Sequence, residues 1–418
     1  MKIAKVQGRE ILDACGLPTI ECEITLEDGS YVNASVPTGI SCGTQEAVQL
    51  RDGGTRLMGK GTLKAIDNIE MYIAPLLIGQ EPNLVSMDFA MIEADGTTDK
   101  SKIGANAILA TSIAILRAQA TVEGMEPYEM IGYLCEYSSV TLPFAMFNCI
   151  GGGLHCKGNT MIQEIMVIPL GATNLRACVD AMMMVYQYLY RLLEKNFSYV
   201  SVTAQGAFTA DFEDDAQAIE MLMEAISTVQ KTTKVRFVLA LDVAASHFYD
   251  RKSNKYNWNG KIVDSAELID LYKRLCKQYP IFSIEDGLSE FDESGWKAMT
   301  EQLSETVQLL GDDIFASSPN NIAHGIENGM ATGAVIKPGQ IGTLTETLQA
   351  IKLCREYDMT CVLSGRACET NDTIIVDIAV GTSTGYIKAG GLNRGEHVAK
   401  YNELLRIEDN LMLSLLEL

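Results

Sequence analysis

The sequence predicts an α/β protein, a smaller N-terminal α+β domain followed by a β/α barrel. Six short apolar runs in the second half each end on a charged residue: LALD on Asp242, FSIE on Glu285, QLLGD on Asp312, AVIK on Lys337, VLSGR on Arg366 and GYIK on Lys388. Successive charges stand roughly 20 to 45 residues apart, room for a strand, a loop and a helix in each unit. At 418 residues the chain is too long for one compact core, and a barrel of about 250 residues plus a smaller domain fits that length.

In chain order, TIECEITLEDGSYVNASVP alternates apolar and polar residues around Asp28-Gly29, which predicts a hairpin. A loop rich in Gly, Ser and Thr follows, TGISCGT (Thr38 to Thr44). LKAIDNIEMYIAPLL and NAILATSIAILRAQATVEG read as helices, the second so apolar that it must be buried. Tyr137-Ser138-Ser139 reads as a linker, giving an N-terminal domain over 1–136 and a barrel over 137–418 that begins with LPFAMFNCI. Gly151-Gly152-Gly153-Leu154-His155 is a flexible loop after that strand, and Gln163-Glu164 opens another strand-like run, QEIMVIP. The Met-rich run AMMMVYQYLYRLL reads as core.

Composition excludes several classes. The formal net charge of −21, without a basic cluster, argues against nucleic acid and anionic membranes as partners. Eleven scattered cysteines without a Cys-x-x-Cys pair favour reduced thiols over a disulfide framework. Four isolated histidines argue against zinc. The start MKIAKVQGREILDACG lacks a secretory apolar core, and no stretch approaches the roughly 20 apolar residues of a membrane span. The expectation is a cytoplasmic protein.

Charged residues at the C-terminal ends of barrel strands face one common site. Asp242, Glu285 and Asp312 offer hard oxygen ligands suited to Mg²⁺, which acidifies the α-proton of a bound carboxylic acid and stabilises the enolate. A lysine beside the cation has its pKa lowered and becomes the base; Lys337 is the candidate. Lys388 suits a substrate carboxylate, and Arg366 a phosphate or second carboxylate. Any one such acid, taken alone, is more often a cap or loop residue. Six charges at six successive strand ends are harder to explain that way.

The chain resembles enolase (phosphopyruvate hydratase) from end to end, through REILDACGLPTIE, VPTGISCGTQEAVQLRDGG, KSKIGANAILA, QEIMVIP, LALDVAAS, SIEDGL, LLGDDIF, VIKPGQIGTLTET and AKYNELLRIE. The resemblance implies an N-terminal α+β domain and a modified (β/α)8 barrel, a glycolytic lyase, Mg²⁺, a small anionic substrate and a homodimer or higher homo-oligomer. It makes Asp242, Glu285 and Asp312 metal ligands, Lys337 the base, Lys388 the carboxylate lysine and Arg366 the phosphate arginine. Ser41 matches the loop serine that closes over the site and binds a second Mg²⁺; His155 and Glu164 also match site residues.

The leaving-group side departs from the family. Gly-Asp-Glu-Gly-Gly is here Thr203-Ala204-Gln205-Gly206-Ala207, so Gln205 replaces the catalytic acid. Ser-His-Arg-Ser-Gly-Glu-Thr is Ser364-Gly365-Arg366-Ala367-Cys368-Glu369-Thr370, so the site histidine is Gly365 and the phosphate serine is Ala367. An early arginine is Cys15, a loop threonine is Cys42, and Val-Asn after the base is Pro338-Gly339. Losing a general acid costs about 10² to 10⁴ in rate, roughly 3 to 5.5 kcal/mol of barrier. Three readings follow: a divergent lyase acting on another phosphorylated or dianionic acid, an enolase with a substitute acid such as Glu164, Glu369 or water, and a non-catalytic binding or regulatory protein.

Overall fold

The structure of the protein, a computed structural model, describes residues 1–39, 43–137, 139–156 and 158–416. Ser41 and Cys42, named above, lie outside the described residues, as does Ser138 of the linker.

Strands β1 (Ile3–Leu12), β2 (Pro18–Leu26) and β3 (Tyr31–Ser35) form an antiparallel sheet in that order. The alternation in the sequence is realised in β2, where Ile20, Cys22, Ile24 and Leu26 are all buried while Glu21, Glu23 and Thr25 between them are not. At the turn to β3, Asp28 accepts hydrogen bonds from the backbone and hydroxyl of Ser30, and Gly29 supplies a φ of 87°. The LKAIDNIEMYIAPLL run is two helical pieces, Leu63–Asn68 and Ala74–Leu77, joined by a π-helical segment at Ile69–Ile73. NAILATSIAILRAQATVEG is the helix Ala105–Glu123, packed on β2 and β3. Contrary to the expectation that no segment approaches a membrane span, this helix is long and apolar enough to cross one. Its most apolar window is 83 % buried within the protein, which marks it as the core helix of this domain.

The barrel begins with β4 (Phe144–Gly151) and β5 (Glu164–Leu170). A short hairpin, β6 (Val200–Val202) and β7 (Phe208–Ala210), extends the sheet beyond β4. After β8 (Arg236–Asp242), a small three-stranded sheet, β9 (Tyr249–Asp250), β10 (Lys255–Trp258) and β11 (Lys261–Val263), stands apart. Then come β12 (Ile281–Glu285), β13 (Gln308–Gly311), β14 (Gly333–Ile336), β15 (Thr360–Ser364) and β16 (Gly385–Lys388). The barrel closes in the order β4-β5-β8-β12-β13-β14-β15-β16, with β16 returning to β4. The six predicted runs are parallel to one another, whereas β5 runs antiparallel to both β4 and β8. Met146, Met166, Ile168, Ala240, Leu310, Val335 and Val362 fill the interior with no exposed surface, so the barrel is a packed core below its rim.

Two further expectations are refined. The Met-rich run lies in the helix Leu175–Asn196, whose buried side carries Met182, Val185, Tyr186 and Leu189 while Met183 points to solvent. The thiols are not all reduced: Cys15 and Cys368 form a disulfide, their Cα atoms 5.5 Å apart, while the other eight described cysteines are free. Sequence spacing carried no hint of it, because 353 residues separate the two.

Candidate active site

Strand register builds the site. Glu285 lies beside Asp242, and Asp242 beside Glu164, across β12, β8 and β5. Glu164 opens its strand, yet reaches the same rim as the strand-ending acids because β5 is reversed. Asp312 and Lys337 follow the last residues of β13 and β14, Lys388 ends β16, and Arg366 lies two residues beyond β15. One pocket is lined by His155, Glu164, Gln205, Asp242, Lys337, Arg366 and Lys388 together.

Two lysines neutralise the acids. Lys388 Nζ stands 2.8 Å from Glu164 and 2.9 Å from both Asp242 and Glu285. Lys337 pairs with Asp312, whose other oxygen accepts from Gln340 Nε2 at 3.0 Å. Burial opposes both ammonium charges, but the facing carboxylates outweigh it and hold both lysines above their ordinary range. For Lys337 this is opposite to the direction expected beside a bound cation, because here its partner is the Asp312 carboxylate. Burial raises Glu285 well above the usual carboxylate range, helped by the charge on Asp242; burial also works on Asp242, but Lys388 and Lys337 pull it below.

The donor set fits a hard divalent cation. Glu164, Asp242 and Glu285 converge on one positive atom at 2.8–2.9 Å, so the corner is built around a cation, and the sequence-predicted ligand Asp312 stands at its edge on Lys337. Buried acceptors Gln163 Oε1 and Gln205 Oε1 have no partner, as acceptors facing a bound group or water would. A tighter acidic group, Asp286, Asp312 and Asp313, suits a metal less well. Asp286 spends its two oxygens on the backbone N–H groups of Asp312 and Asp313, at 2.9 and 3.0 Å. That residue, missed in the sequence reading, has φ 45° and fixes the β13 loop beside Glu285.

Elsewhere in the pocket, Gln205 Nε2 lies 2.8 Å from His155 Nε2, and His155 Nδ1 lies 3.6 Å from Glu164. Burial lowers the His155 pKa, favouring the neutral ring. Glu369 accepts the Arg366 backbone N–H at 2.8 Å and pairs with Lys400 at 2.9 Å, so both its oxygens are committed to the loop. Gly365 belongs to the same packing, since a β-carbon there would stand 2.9 Å from Glu369 Oε1. The Arg366 guanidinium is held by both oxygens of Glu46, at 2.7 and 3.0 Å, a partner from the N-terminal domain that the sequence reading did not single out. The quoted stretch VPTGISCGTQEAVQLRDGG contains Glu46, but only the fold brings it to Arg366.

An α+β domain set against a closed barrel whose rim gathers acids and lysines defines a two-domain barrel protein with one rim site. Residues 3–131 match the family model for the enolase N-terminal domain, and residues 139–414 match that for the enolase C-terminal TIM barrel domain. The chain belongs to the enolase family.

Proposed function

We propose that this chain is a Mg²⁺-dependent carbon–oxygen lyase acting on a phosphorylated or similarly dianionic carboxylic acid, 2-phosphoglycerate or a relative of it. The observation that carries the reading is the rim pairing: Lys337 on Asp312, beside Lys388 within a ring of three carboxylates. Mg²⁺ held by Asp242, Glu285 and Asp312 would acidify the α-proton and lower the pKa of the neighbouring lysine. Lys337, in its neutral form, takes that proton. Lys388 faces the substrate carboxylate, and Arg366 turns from Glu46 to the phosphate. Ser41, outside the described residues, belongs to the substrate-binding set by its match to the family motif. Glu164 is the acid left beside the leaving group, since Gln205 can offer only an amide N–H and, among the described residues, only one Glu164 oxygen is held, by Lys388, whereas both Glu369 oxygens are engaged.

The test is a Mg²⁺-dependent assay with 2-phosphoglycerate, following phosphoenolpyruvate by ultraviolet absorbance, with Lys337→Ala as control. Turnover that vanishes in the control supports the reading, and turnover that persists there sinks it. A second reading, a non-catalytic binding protein of this family, is favoured by one feature: every cation at the rim is already matched by a protein carboxylate. Absent turnover across dianionic acids, with Lys337→Met melting like the wild type, would select it.

A further inference from the structure

The Cys15–Cys368 disulfide sits where three segments meet beside the pocket. Cys15 lies in the turn between β1 and β2, which is shaped by Asp13: its Oδ1 accepts the backbone N–H groups of Cys15 and Leu17 at 2.8 and 2.9 Å. The other Asp13 oxygen accepts the hydroxyl of Thr38. Thr38 in turn exchanges two backbone hydrogen bonds with Cys368, at 3.0 and 3.2 Å. Two residues before Cys368 is Arg366; one residue after Thr38 is Gly39, packed so closely on the guanidinium that a side chain at 39 would collide with it. Cys368 is fully buried, while Cys15 is solvent-accessible in its turn.

A chain with a core of this extent does not need a covalent staple to fold, in contrast to small disulfide-rich domains. Accessible disulfides are the ones that exchange readily. We propose that Cys15 and Cys368 form a reducible latch: closed, it holds the Arg366 loop, the Thr38–Gly39 segment and the Cys15 turn as one body over the anion-binding arm of the pocket; opened by a dithiol, it lets that arm loosen.

The exchange balances without any other co-reactant. One thiolate of the dithiol attacks Sγ of Cys15, the more exposed of the two residues, and the Cys15–Cys368 bond breaks with its electron pair leaving on Cys368 Sγ, which takes a proton. The second thiolate of the reagent attacks the mixed disulfide at the reagent's own sulfur. Cys15 leaves as a thiolate and is protonated, and the reagent departs as its cyclic disulfide. Two electrons have passed to the protein, and a small-molecule disulfide reverses the step. The fold persists in the reduced state because the pairing of Arg117 with Asp372 between the two domains does not depend on the disulfide.

The test uses the full chain purified without reductant. Non-reducing peptide mapping should recover Cys15 joined to Cys368. Hydrogen–deuterium exchange should then rise several-fold on adding dithiothreitol in peptides covering 13–17, 36–39 and 366–370, with the barrel strands unchanged. Cys15→Ser, altered only at the accessible end, should exchange like reduced wild type in either buffer; the Cys15→Ser, Cys368→Ser double variant should agree with it. Free thiols at both positions after treatment with a small-molecule disulfide overturn the proposal, as does a stoichiometric zinc ion bound by them or exchange that ignores reduction. None of these readings needs a substrate, so failure here is distinguishable from failure of the proposed reaction.

Discussion

Removing the Lys388 ammonium is the sharpest perturbation of the rim. Its Nζ is the shared partner of Glu164, Asp242 and Glu285 at 2.8–2.9 Å, and these residues are 4, 5 and 0 % exposed. Each contact carries a gross attraction of about 6 kcal/mol at an effective dielectric constant of about 20, most of it offset by desolvation. In Lys388→Met the three acids lose that partner, while Lys337 stays engaged with Asp312. The expected net loss is about 3–5 kcal/mol, the range for breaking a buried pair from one side. The assay is urea unfolding at neutral pH in EDTA, repeated at lower pH and again with Mg²⁺. An acid whose folded pKa lies above its unfolded value contributes stability that is full below the unfolded value and lost as pH rises through the folded one. Glu285 is already such an acid, and without Lys388 burial carries Asp242 in the same direction. The deficit should therefore shrink as the pH falls towards the unfolded carboxylate range. Mg²⁺ at about 100 times its dissociation constant should restore about 2.7 kcal/mol. A deficit below about 1 kcal/mol in EDTA, unchanged by pH, would refute the reasoning, since surface pairs are worth no more than that.

Three other outcomes are expected. Burial pushes the Asp88 carboxyl up to about 6, so its ionisation removes stability between about pH 4 and 6; Asp88→Asn should abolish a pH-dependent loss of about 3 kcal/mol, read from urea midpoints across that window. Arg117 and Asp372 join the two domains through contacts of 2.7 Å, and Asp372→Ala should cost about 3–5 kcal/mol, measured by chemical unfolding; a loss under 1 kcal/mol would mean the pair behaves as a surface bridge. Gln205→Glu puts an ionisable acid beside His155 and should raise the dehydration rate of 2-phosphoglycerate by about 10² or more; an unchanged rate in steady-state assays would assign the leaving-group proton elsewhere.

Much of the barrel was legible because a parallel strand buried on both faces writes an apolar run, and the charged residue that ends the run marks the rim of the barrel. Asp242, Glu285, Asp312, Lys337, Arg366 and Lys388 were found that way, and the structure sets them around one rim. The reversal of β5 was not legible, because QEIMVIP is equally apolar whichever way it runs; its direction is set by the connection at 152–163 and by pairing with β4 and β8. Strand β1 went unread because several of its residues alternate poorly, with only Ile3, Val6 and Gly8 buried, and its partner β2 supplies the context. Glu46 on Arg366, Asp286 under the β13 loop and the Cys15–Cys368 bond are long-range or backbone-directed contacts that local sequence pattern does not encode. The character of Lys388 was half read: its charge and position were evident, but its three-acid partnership needed the strand register.

The central claim, proton abstraction by Lys337 at a metal-binding rim, is tested most directly by solvent exchange. 2-Phosphoglycerate incubated with the protein and Mg²⁺ in deuterated water would be followed by proton NMR at its α-carbon, with Lys337→Ala and EDTA as controls. The account predicts loss of the α-proton signal, by exchange or by turnover to product, that needs both Mg²⁺ and Lys337. An α-proton that survives in 2-phosphoglycerate and in a panel of related dianionic acids, with the wild type folded and Mg²⁺ bound, would contradict it.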